Sequence, residues 1–85
     1  MKVRPLSAKN TAKLKALGLT EAYKKKVILF ENNPRHTSLH YEILKSTRRF
    51  VPPTRSFRIN IKYRVLGIEI GKEFQPHAIT NHYED

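Results

Sequence analysis

The chain has no cysteine. Disulfides and thiolate metal sites are therefore excluded, and the fold must rest on packing alone. Long apolar runs are also missing. The longest, Val27 to Phe30, is far below the roughly 18 residues a membrane span needs, and the N-terminus lacks the apolar stretch of a signal peptide. A soluble, unsecreted, cytoplasmic protein is expected. Acidic residues are scarce, seven against seventeen Lys and Arg, for a net charge of +10 over 85 residues. Such self-repulsion weakens a compact state, and a polyanionic partner is the usual compensation. The charge is not confined to a tail: residues 1–30 hold eight basic residues and only Glu21, and residues 31–70 hold eight more against three acids. Nucleic acid is the favoured partner. At this length one small domain, 1–85, is expected, since such a chain buries only roughly 60–65% of its unfolded surface.

Met1 to Leu6 alternates Val3 and Leu6 with charge and predicts a short first strand that Pro5 confines to an edge. Ser7 then caps a helix whose apolar face is Ala8, Ala12, Leu14 and Leu17, and Gly18 stands where a helix end favours positive φ. Thr20 is the next N-cap, and Tyr23, Val27 and Phe30 form the buried stripe of a second helix that Asn33-Pro34 stops. Lys24 and Lys25 lie between stripe positions, as a solvated face or as contacts to nucleic acid. Residues 34–54 show no sustained period and predict a long connection with a short strand at Tyr41–Leu44. Period two follows. Phe57 and Ile59 alternate with Arg58 and Asn60, a turn near Asn60-Ile61-Lys62 leads into YRVLGIEI, and Gly71-Lys72 turns the chain into EFQPHAIT.

Gly67 breaks the alternation. Read as the extra residue of a bulge, it lets Val65, Ile68 and Ile70 join Phe57 and Ile59 beneath the helices, with Arg58 and Arg64 left on the open face. Two arginine forks projecting from a sheet suit phosphate.

Three stretches in this order, FENNPRHTSLH, SFRINIKYRV and ITNH, resemble the RelE/ParE superfamily of type II toxin-antitoxin toxins, particularly the RelE-like mRNA interferases. The resemblance implies an α+β fold: an N-terminal strand and a two-helix hairpin packed on a four-stranded antiparallel sheet, with a concave nucleic-acid face. It implies an endoribonuclease that cuts messenger RNA on the ribosome and arrests translation and growth, or, in the ParE branch, an inhibitor of DNA gyrase. An RNA-binding module without chemistry is the third reading. The implied partners are mRNA, the ribosome and a cognate antitoxin whose flexible, acidic segment would complement the basic surface.

By the same resemblance Arg64 falls on the arginine that contacts the scissile phosphate, Arg58 lies near a second basic position, and His82 falls on a strand-end position that is basic or histidine in RNA-cutting members. Tyr83 follows at once, and Thr80 stands where the family has glycine. Cleavage without a metal uses the ribose 2′-hydroxyl as nucleophile and so needs a base, a cation and an acid. Arg64 and Arg58 suit the cation, His82 proton transfer, and Tyr83 stacking or proton transfer. His40 is a further candidate in the loop, with a packing role equally open. Arg48, Arg49 and Arg55 flank Phe50 and the Pro52-Pro53 pair, a basic segment able to grip RNA with a solvated loop equally open, and Lys62 is a further candidate for RNA binding. His36-x-x-x-His40 lacks an acidic or cysteine companion, so neither a metal nor another cofactor is expected.

Overall fold

The computed structural model describes residues 1–81. Its elements are β1 (Lys2–Val3), α1 (Ala8–Ala16), α2 (Thr20–Asn32), β2 (Glu42–Ile43), β3 (Arg55–Arg58), β4 (Arg64–Ile70) and β5 (Glu73–Thr80), with 3-10 turns at Thr37–Leu39 and Lys45–Thr47. The fold is α+β, with two helices and a five-strand mixed sheet in the order β1-β5-β4-β3-β2. The sheet is thus larger than the four antiparallel strands expected. The pairs β2–β3, β3–β4 and β4–β5 are antiparallel, and Lys2 and Val3 add a parallel edge against Glu73 and Phe74. That edge is covered locally. Val3 donates its N–H to Glu31 Oε2 of α2 at 2.8 Å, which satisfies a group that another strand would otherwise recognise.

Local chemistry explains the helix ends. Ser7 Oγ accepts from the Asn10 N–H at 3.1 Å. Gly18, at φ 70°, closes α1: its N–H reaches Lys15 O at 3.1 Å and the Leu19 N–H reaches Leu14 O at 2.8 Å. These are the paired bonds of a Schellman end, and Leu14 and Leu19 complete it by meeting in the core. Because Leu19 serves both that end and the start of α2, Leu19 is the N-cap and Thr20 the first helical residue, without a side-chain cap.

Phe30, Phe57 and Phe74 are fully buried and mutually in contact, with Phe30 and Phe57 stacked at 4.7 Å between centroids. Tyr23 extends the layer toward Phe57, and Val65, Ile79, Leu39 and Ile59 fill the remainder. The α2 stripe is as expected. The α1 face is not: Ala8 and Ala12 are exposed and Leu17 is 37% exposed, while Asn10 and Leu14 are buried. A polar residue is tolerated there because Asn10 Nδ2 donates to His77 O at 2.8 Å, and Lys13 Nζ adds a bond to Ile79 O at 2.7 Å.

That free His77 carbonyl has a cause. Leu66 pairs with Ala78 but Gly67 pairs with Pro76, so His77 is the extra residue and the irregularity belongs to β5, not to Gly67. Strict alternation along β4 therefore puts Val65, Gly67 and Glu69 on the helix side and Arg64, Leu66, Ile68 and Ile70 on the other. Ile68 and Ile70 are not under the helices as expected. Gly67 is needed instead for clearance, since a Cβ there would lie 2.6 Å from Phe74 Cζ and 2.3 Å from Gln75 O.

Burial, and secondarily the nearby Glu31 charge, raise the Tyr23 phenol to about 12. Folding therefore favours the protonated form, and this contribution is full below the unfolded value of about 10 and lost as pH rises toward about 12. Urea midpoints measured from about pH 9 to about 12 should fall along this limb, which the half-buried Tyr41 phenol shares, and Tyr23→Phe should make it shallower.

Candidate nucleic-acid interface

The β3–β4 and β4–β5 registers set Arg58, Arg64 and Thr80 in one row across three strands, Arg58 opposite Arg64 and Arg64 opposite Thr80. Alternation from Phe57 and Val65 puts the row on the face away from the helices, as expected of both arginines. The β3–β4 turn, carrying Lys62, adjoins this end of the ladder. It is held by Asn60 Oδ1, which accepts from the N–H groups of Lys62 and Tyr63 at 2.9 and 2.7 Å.

The two arginines differ in their surroundings. Arg64 is 5% exposed, with Nε and Nη2 at 3.1 and 2.9 Å from Ser56 Oγ and Nη2 at 2.7 Å from His40 O. It is therefore a built-in part of the face rather than the projecting fork expected. His40 itself has φ 45°, a left-handed conformation that costs a residue with a Cβ about 1–2 kcal/mol, and the charge-assisted bond to its carbonyl helps to hold it. Arg58 is half-buried, and among the described residues its buried Nε has no hydrogen-bond partner.

Glu42 was not legible as a site residue. Its register partner is Ser56, which brings the carboxylate onto the arginine face, 3.5 Å from Arg64 Nη2 and with a side chain 47% exposed. A carboxylate held beside cations and open to solvent can accept a proton from a bound hydroxyl. Ser56, completely buried, was also missed. Both are placed by strand pairing across a long loop, and no sequence period reports that.

The remaining candidates separate. Arg55 shares the Phe57 side of β3 and is turned from the arginine row, pairing through Nε with Glu69 Oε2 at 3.5 Å and lying 5.6 Å over the Tyr41 ring. Tyr41 donates to the same Glu69 oxygen. Burial first, then the hydrogen bond to Glu69 and its charge, push the phenol well above its usual range, against the opposing pull of Arg55. Arg48 and Arg49 are exposed in the connection after the second 3-10 turn, beside exposed Phe50 and Val51. Lys24 and Lys25 are exposed on α2, which packs on the opposite side of the sheet, and Lys24 faces Glu21 at 3.5 Å. The His40 side chain is exposed. His82 and Tyr83 lie outside the described residues.

Among the described residues no group of three His, Asp or Glu side chains could hold a metal, and no helix is long and apolar enough to cross a membrane. In comparisons with known proteins, no family model, no curated protein and no solved structure matched the chain.

Proposed function

We propose that the chain is a RelE-like toxin of a type II toxin-antitoxin system, acting in the cytoplasm as a metal-independent endoribonuclease on ribosome-bound messenger RNA. The observation that carries this reading is the conjunction on one sheet face of the half-buried Arg58, the fixed Arg64 cation and the half-exposed Glu42 carboxylate. Glu42 would take the 2′-hydroxyl proton. The 2′-oxygen then bonds to phosphorus while the bond to the 5′-oxygen breaks, leaving a 2′,3′-cyclic phosphate and a 5′-hydroxyl. Arg58 would contact the phosphate oxygens, with Arg64 supplying charge from behind and fixing the loop that carries His40 and Glu42. His82, two residues after Thr80 in the sequence and a proton-transfer candidate by the resemblance, would protonate the leaving oxygen. The antitoxin would be a small protein with an acidic, flexible segment. Dependence on a 2′-hydroxyl makes DNA inert as a substrate.

The non-catalytic readings have one observation in their favour, that Arg64 already has protein partners. Induction of the chain in growing cells, with transcript ends mapped and plasmid supercoiling measured, separates the three. Growth arrest with new ends inside translated messages supports cleavage. Arrest without new ends and with reduced supercoiling supports gyrase inhibition, and neither effect supports simple RNA binding.

A further inference from the structure

A second polar cleft lies on the other face of the sheet, between the connection that follows α2 and strands β3 and β4. Its volume is about 690 Å³, and Arg35, His36, His40, Tyr41, Arg55 and Glu69 line it. That volume falls within the roughly 300–1,000 Å³ of ligand sites, more than a bare anion requires. Glu69 is the acid among these six, and its carboxylate is engaged by the Tyr41 hydroxyl and Arg55 Nε. Arg55 keeps further N–H donors beyond that Nε. The side chains of Arg35 and His40 make no hydrogen bond or ion pair among the described residues. His36 Nδ1 accepts from the Ser38 N–H at 3.2 Å, so in the neutral ring the proton sits on Nε2, which is left as a donor. The cleft thus gathers two guanidinium groups, one of them paired with the Glu69 carboxylate, and two imidazoles.

We propose that this cleft is a second phosphate-binding site, taking the phosphate of a nucleotide, either free or within an RNA chain. Planar guanidinium forks match phosphate oxygens in pairs, and imidazole N–H groups add single bonds. The assignment is independent of the cleavage reading, because it uses other side chains on the opposite face.

The test follows the ring C2–H signals of His36 and His40 by NMR in the full chain, titrated separately with inorganic phosphate, 5′-AMP and a short RNA without terminal phosphates. A saturable shift with any of the three is expected, weakened at least about tenfold by Arg35→Ala and by Arg55→Gln and, for phosphate and 5′-AMP, unchanged by Arg58→Ala. Arg35 is exposed, so its variant keeps the test valid if Arg55→Gln loosens the fold. Response to 5′-AMP alone identifies a free nucleotide, response to RNA alone a chain phosphate, and response to all three a site that reads phosphate only. The proposal is overturned if no probe gives a saturable shift, if the affinity survives Arg35→Ala unchanged, or if Arg58→Ala removes the shift with phosphate or 5′-AMP.

Discussion

Phe30→Ala should remove a large share of the protein's folding stability at room temperature. Phe30 is fully buried and is the ring on which Phe57 stacks and against which Tyr41 and Phe74 pack edge-on, at 4.8 and 5.5 Å. Removing such a ring costs about 3–5 kcal/mol, the lost transfer energy plus the cavity left behind. A domain of 85 residues has about 4–13 kcal/mol in total at 0.05–0.15 kcal/mol per residue. Urea denaturation followed by far-ultraviolet circular dichroism should therefore show a midpoint shifted toward zero denaturant. Phe50→Ala is the matching control. Phe50 is 61% exposed, and its loss should change stability by no more than about 0.5 kcal/mol. Equal effects of the two substitutions would contradict this core.

Arg58→Ala should lower messenger cleavage about 10²–10³-fold, the loss typical of removing one donor to developing negative charge, while leaving the urea midpoint nearly unchanged. Glu42→Gln should give a loss of about 10²–10⁴-fold, the range for a positioned general base. Arg64→Ala is expected to behave differently, because it strips donors from the buried Ser56 hydroxyl and from the His40 carbonyl. Each group left unsatisfied costs about 1–3 kcal/mol, so activity and stability should fall together. Rates of RNA cleavage set beside unfolding curves for the three variants distinguish an acting group from a positioning one. A drop in stability for Arg58→Ala as large as for Arg64→Ala would remove that distinction.

Much of the architecture was legible because periodicity reports burial directly. Tyr23, Val27 and Phe30 at helical spacing, Gly18 past a helix end and Gly71-Lys72 between two apolar strands each have one economical reading, and the structure agrees with it. Gly67 shows where that reasoning fails. A glycine within an alternating strand marks either a bulge or a close approach, and only the tertiary packing, with the Phe74 ring and the Gln75 carbonyl where a Cβ would lie, identifies the second. His77 could not be recognised as the bulged residue, since nothing about histidine singles it out. The parallel pairing of β1 with β5 joins residues some seventy positions apart and leaves no local signal.

The arginine row was legible because Arg58 and Arg64 lie on two strands joined by a short turn, where turn length fixes pairing. Glu42 and Ser56 were not, because β2 reaches its partner only after a proline-containing connection with no period. The same register moves Arg55 away from the basic group that adjacency in sequence suggested. What the sequence offered as a single basic segment is split, with Arg55 on the helix side of β3 and Arg48 and Arg49 exposed in the connection before it.

The most direct measurement is the chemistry of the RNA ends. A defined messenger is incubated with the purified chain in a translating extract, and new internal ends are sequenced and tested for 5′-hydroxyl groups. New 5′-hydroxyl ends are predicted, absent when the cleaved nucleotide carries a 2′-deoxyribose and strongly reduced with Arg58→Ala. An intact messenger in the presence of folded wild-type protein, or cleavage that persists at the 2′-deoxy position, would contradict the assignment of the arginine face as an RNA-cleaving site.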